Sequence, residues 1–139
     1  MSENVSGAPV EHRIRVRYCE TDRMGVAHHM NHVAWFEEAR TEWLRAQGRS
    51  YRDLEDDGYL LQIVELQCRY HAPLDYDDVV VIETSLIRRR RVGITLGYRL
   101  TRETDGVLAA TGETSLACVS PEGKLRALPE DLFEGGKLA

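Results

Sequence analysis

From His12 the chain alternates, with Ile14, Val16 and Tyr18 on one side of an extended backbone and Arg13, Arg15 and Arg17 on the other. That is the period of a half-buried strand, and the stretch "HRIRVRYC" is expected to form one. At Asn31 the period changes. Trp35, Phe36, Ala39, Trp43 and Ala46 recur at three- and four-residue steps with Glu37, Glu38, Glu42 and Arg45 largely between them, which predicts an amphipathic helix about four turns long. Asn31 is expected to N-cap it, the early acids suit the positive end of its dipole, and Gly48 supplies a stop. Two tryptophans on the apolar stripe are too much aromatic area to leave wet, so this helix is expected at the centre of the core. Alternation then resumes from about Tyr59 to Tyr70, with Val64, Leu66, Cys68 and Tyr70 opposite Glu65, Gln67 and Arg69, until Pro73 ends it. Further strands are expected at Val79 to Ile87 and Val92 to Thr101, and the Asp105-Gly106 pair predicts a tight hairpin into a last strand, Val107 to Val119.

One strand, one helix and then four strands with short connections cannot make a parallel sheet, because the crossovers are missing. The pattern predicts an α+β fold, a five-stranded antiparallel sheet around one long helix. The chain has 139 residues, 42% of them hydrophobic, enough for one core. We read a single domain over residues 12–132, a loose N-terminal tail over 1–11 and a C-terminal tail over 133–139. The first ten residues lack the basic start and apolar run of a secretion signal, and the longest β-branched run, "VVVI", is far too short to span a bilayer. Cys19, Cys68 and Cys118 are widely spaced and odd in number, as expected of reduced thiols in the cytoplasm. A net charge of −5 disfavours nucleic acid as a partner, since such binding draws on a basic surface.

Chemistry is concentrated in "ETDRMGVAHHMNH", Glu20 to His32, which holds three of the five histidines. His28 and His32 are four apart and, with His29 and Asp22, offer a conceivable metal set. However, His28 and His29 precede the expected cap, and the HExxH arrangement is absent, so no metal site is assigned. Taken alone, Asp22 and Gly25 read as a turn. Their context adds something, because the loop runs into a helix N-terminus, where free N–H groups and the dipole stabilise negative charge.

The Asp22, Gly25, Val26, His29, Asn31 pattern, followed by "EEARTEWL", resembles the hotdog-fold acyl-CoA thioesterases. More narrowly, it is similar to the 4-hydroxybenzoyl-CoA thioesterase-like family, including acyl-CoA thioesterases encoded with the Tol–Pal system. "RYHAPLDYDDVVVIET" and "RALPEDL" extend the likeness over about residues 12 to 132. The resemblance implies hydrolysis of an acyl-CoA thioester without a cofactor. Asp22 would attack the acyl carbon or activate a water, since an aspartate is ionised at neutral pH. A backbone N–H near His29 would hold the oxyanion, with Asn31 fixing the helix end that presents it. The His29 imidazole would protonate the leaving thiolate or hold the water.

In the run Arg88 to Arg91, the family's nucleotide site implies that Arg90 and Arg91 grip the CoA phosphates with paired donors. Arg88 and Arg89 are weaker candidates, and solvated charge at a hairpin end is the plain alternative. Glu37, Glu38 and Glu42 fall on or beside the polar face of the helix, where solvation or a subunit contact explains them. Two rival functions are a hotdog hydratase or dehydratase, pairing His29 with Glu37 or Glu38, and a module that binds acyl-CoA without cleaving it. A lone sheet of this size leaves an edge unpaired, so a homo-oligomer is expected, a dimer or homotetramer with its sites at subunit interfaces.

Overall fold

The computed structural model describes residues 3–4, 9–130 and 132–133. Its elements in chain order are β1 (Glu3–Asn4), β2 (Val10–Arg15), a 3₁₀ turn (Tyr18–Glu20), α1 (Met30–Ala46), α2 (Tyr51–Asp56), β3 (Leu60–Tyr70), β4 (Val79–Arg90), β5 (Gly93–Arg102) and β6 (Leu108–Val119). Every strand pairing is antiparallel. Hairpins join β4 to β5 and β5 to β6, and β6 pairs back onto β3, which forms one edge of the sheet. At the other edge β2 and the short β1 lie end to end along β4. This is the five-stranded sheet with one long helix that the alternation predicted. The expected tails fall largely outside the described residues.

The core forms where the two periodicities meet. Val80, Ile82, Thr84 and Leu86 on β4, with Ile94, Leu96, Tyr98 and Leu100 on β5, turn inward against Trp35, Phe36, Ala39, Trp43 and Leu44 of α1. Each large side chain buried this way contributes roughly 1.5–3 kcal/mol. Phe36 stacks on Tyr98 with ring centroids 4.5 Å apart and planes 12° from parallel, and Trp43 packs on Phe133 at 5.1 Å. α1 ends at Ala46, and Gly48 follows with a φ of 97°, as the expected stop requires.

Four expectations are corrected. Tyr18 does not continue the buried face of the first strand; β2 ends at Arg15, Tyr18 is 77% exposed, and the chain turns through a 3₁₀ segment. Asn31 is not the N-cap, because α1 begins at Met30 with His29 at the cap position and no side-chain cap. β4 runs past Ile87 to Arg90, so three arginines belong to the strand. A short helix, α2, was not expected. Its Ser50 Oγ accepts from the Asp53 N–H while the Asp53 carboxylate accepts from the Ser50 N–H, both at 3.1 Å, a reciprocal cap legible as Ser-x-x-Asp.

Candidate active site

The loop from Glu20 to His32 is held from below by Glu20. Its buried carboxylate accepts the Arg17 N–H at 2.7 Å, the Trp35 indole N–H at 3.0 Å and the Arg17 guanidinium at 3.3 Å. Burial pushes this carboxyl group up, but the bonds from Arg17 and Trp35 outweigh it and leave the group below its ordinary range. The turn out of β2 is thereby tied to the helix. Above it, the Asp22 N–H donates to Val26 O and the Gly25 N–H to Asp22 O, both at 3.0 Å. The Asp22 side chain also accepts the Met24 N–H at 2.8 Å, closing an Asx turn. Gly25 sits at φ 81°, where a side chain is disfavoured. Ala27 N–H to Leu74 O at 2.7 Å pins the loop to the segment before β4.

The first turn of α1 is set by two peptide planes. Asn31 accepts nothing there; its Nδ2 donates to Glu20 O at 2.8 Å and to His28 O at 3.2 Å, and its own N–H reaches His28 O at 3.0 Å. With the His28 carbonyl so held, the His29 N–H of the same trans peptide points the opposite way. His28 N–H donates to Glu20 O at 2.7 Å, whereas among the described residues the His29 N–H has no hydrogen-bond partner. In the next peptide, the His29 carbonyl accepts the Tyr70 hydroxyl at 2.7 Å and the Met30 N–H reaches His28 Nδ1 at 3.2 Å. Asn31 thus fixes the helix end by donating to carbonyls rather than by capping.

These groups open on a cleft of about 380 Å³ whose lining includes Asp22, His29, His32, Tyr70, His71 and Leu74. The sequence-predicted Asp22 and His29 therefore share one cavity, at the positive end of α1. His28 stacks on His29 at 4.2 Å, while His32 is buried against Trp35 at 4.9 Å and Tyr70 at 4.7 Å. His28 and His32 are thus held apart by different neighbours. His32 is only 4% exposed, and its Nδ1 has no hydrogen-bond partner among the described residues. Burial pushes its imidazole down; the His29 and His28 carbonyls oppose this electrostatically without reaching hydrogen-bond geometry.

The arginines lie elsewhere. β4 runs twelve residues from Val79 to Arg90, and at about 3.3 Å per residue its ends stand roughly 35 Å apart. The cleft is at the Val79 end, through the Val26 bridge to Asp75. Arg90 and Arg91 are exposed at the other end, so within one chain they do not meet Asp22. Arg89 is committed to the C-terminal segment, donating to Pro129 O at 2.8 Å and Leu132 O at 2.7 Å. Arg88 Nε is buried without a partner among the described residues. Two site residues escaped sequence reasoning. Strand alternation placed Tyr70 on a face but gave no sign that its hydroxyl would reach across to the helix. His32 stood out only as a possible metal ligand.

Residues 16–135 match the thioesterase-like superfamily. A putative esterase of Aquifex aeolicus is 34% identical over 91% of this chain and 96% of its own length. The acyl-CoA thioester hydrolase YbgC of Escherichia coli O6:H1 is 32% identical over 86% of this chain and 89% of its own. Among solved structures, the DHNA-CoA thioesterase of Staphylococcus aureus superposes with a TM-score of 0.82 at 33% identity, covering 86% of this chain and 80% of that one.

Proposed function

The chain belongs to the thioesterase-like superfamily, and from that premise we propose that it hydrolyses an acyl-CoA thioester to the free acid and CoA in the cleft between Asp22 and the first turn of α1. The observation that carries this reading is that His29, whose N–H at the helix N-terminus has no partner among the described residues, lines the same cavity as the Asp22 carboxylate. Attack on the thioester carbonyl moves an electron pair onto its oxygen, and a fixed N–H at a helix dipole's positive end stabilises that charge without reorganising. Asp22 supplies the attack by one of two routes. Its oxygen adds to the acyl carbon and expels CoA thiolate, leaving an anhydride that water cleaves, or it takes a proton from a water that adds instead. In this reading the His29 imidazole returns a proton to the departing sulfur.

The hydratase alternative finds no comparable support. Glu37 and Glu38 are exposed on the outer face of α1, and Glu38 is tied to His12 at 2.9 Å. For assembly, β3 offers an edge eleven residues long that is free among the described residues, and Ile63, Val64, Leu66 and Tyr70 on it are exposed. Two such edges paired antiparallel would make one continuous sheet and bring a second chain up to each cleft. Among the described residues no helix is long and apolar enough to cross a membrane. The three cysteines are unpaired, which accords with a cytoplasmic enzyme.

The test is Asp22→Asn, which keeps the shape of the side chain and removes the charge. Thiol release from an acyl-CoA panel should fall by about 10²- to 10⁴-fold in kcat, with CoA binding by calorimetry retained. Hydrolysis near the parent rate would refute the assignment.

A further inference from the structure

Tyr70 belongs to the sheet edge, yet its hydroxyl ends on the helix. It donates to the His29 carbonyl at 2.7 Å across 41 residues of sequence, its ring meets His32 edge-on at 4.7 Å and 75°, and it lines the cleft beside Asp22. The two peptides flanking the His29 Cα are therefore held from different sides. Asn31 grips the carbonyl of the first, and Tyr70 with His28 grips the carbonyl and the N–H of the second. With both planes fixed, both backbone dihedrals of His29 are fixed too, and so is the direction of its free N–H. We propose that Tyr70 is a positioning residue for thioester hydrolysis: from the free-edge strand it clamps the His29 carbonyl and so aims the His29 N–H, and the base of the His29 side chain, at the reacting carbonyl.

Two further observations bear on this role. The clamp works only while the phenol keeps its proton. Burial first, and then the neighbouring Cys68, push the Tyr70 hydroxyl up to about 12, so it remains a donor throughout the range in which an esterase works. Its attachment also matters. Among the described residues β3 pairs with β6 on one side only, so whatever occupies the free edge acts on the strand that carries the clamp. A helix terminus aimed by its own helix alone would need no such contact.

This inference rests on the proposed hydrolysis, and the experiment separates the two. Tyr70→Phe removes the hydroxyl and keeps the ring on His32. Its kcat should fall about 10- to 100-fold, the scale expected when a reacting group is misplaced by a fraction of an ångström to 1 Å. KM for acyl-CoA should stay within about twofold, because the ring still lines the cleft. In ¹³C-labelled protein the His29 carbonyl resonance should move upfield as it loses a hydrogen bond, a readout independent of turnover. A second variant, carrying 3,5-difluorotyrosine at position 70, guards against a folding effect. Its phenol ionises at lower pH, so its kcat should decline with rising pH where the parent's does not, since a phenolate cannot donate. A wild-type chain with no thioesterase activity would defeat the hydrolytic reading while leaving the carbonyl shift to test the clamp. An active wild type with an equally fast Tyr70→Phe variant, or a fluorinated variant with the parent's pH profile, would overturn the positioning role.

Discussion

His32 shows what the site costs at the scale of one residue. It is buried between Trp35 and Tyr70 with an unpartnered Nδ1, and an unpaired polar atom in such a place is destabilising by about 1–3 kcal/mol. Burial, working against two nearby carbonyls, holds its imidazole below the ordinary 6.5. The folded chain therefore binds the His32 proton less readily than the unfolded chain does. The stability tied to the neutral ring is complete above about pH 6.5. It begins to drain away as the pH falls below that ordinary value, and the loss continues until the folded-state ring itself protonates. Replacing the ring by His32→Phe removes the titration, so the difference in melting temperature between wild type and variant should shift in the variant's favour between roughly pH 7.5 and pH 5. A difference that stays constant over that interval would mean that His32 titrates as a solvated imidazole.

At the scale of elements, the sheet and α1 are fitted to each other by a missing side chain. Gly112 of β6 lies under Phe36, and a Cβ there would stand 2.5 Å from Phe36 Cε2 and 2.8 Å from the Gln67 carbonyl oxygen. Neither can give way easily, since Phe36 is wholly buried and stacked on Tyr98 and the carbonyl belongs to the neighbouring strand. Gly112→Ala should therefore destabilise the fold by about 1–3 kcal/mol, read as a lower denaturant midpoint with an unchanged slope. A midpoint equal to the parent's would show the helix free to lift. The same coupling explains what the sequence could and could not reveal. Period-two and period-3.6 patterns mark an element and its apolar face, so β2 and α1 were legible from Ile14 or Trp43, whereas the alternating apolar residues of β3, Val64, Leu66 and Tyr70, lie exposed at the sheet edge. Tyr18 broke the pattern because the Glu20 carboxylate captures the Arg17 N–H and bends the chain out of the sheet, a contact with no periodic signature. Within the site, the proximity of Asp22 and His29 was legible because a short loop joins them. The contact from Tyr70 to His29 spans 41 residues and leaves no trace in local spacing.

For the whole molecule, the separation of Asp22 from Arg90 and Arg91 decides how a nucleotide could be held. The cleft and the arginines lie at opposite ends of β4, roughly 35 Å apart along the strand. If these guanidinium groups bind the CoA phosphates, they serve a cleft whose carboxylate belongs to another chain. Changing Arg90→Ala together with Arg91→Ala should then raise KM for acyl-CoA while barely affecting a pantetheine thioester, which lacks the phosphates. The stronger test mixes chains. An Asp22→Asn chain is expected to be inactive, and the double-arginine variant to bind its substrate weakly. A hybrid oligomer of the two, however, contains a cleft with Asp22 from one chain and both arginines from the other. Refolding equal amounts of the pair together should restore hydrolysis at the parent KM, at about a quarter of the parent's site density when each cleft draws on two randomly paired chains. Restoration would show a composite site. A mixture no better than the sum of its parents would place nucleotide and carboxylate in the same chain, and the arginine run would then revert to solvated charge at the end of a hairpin.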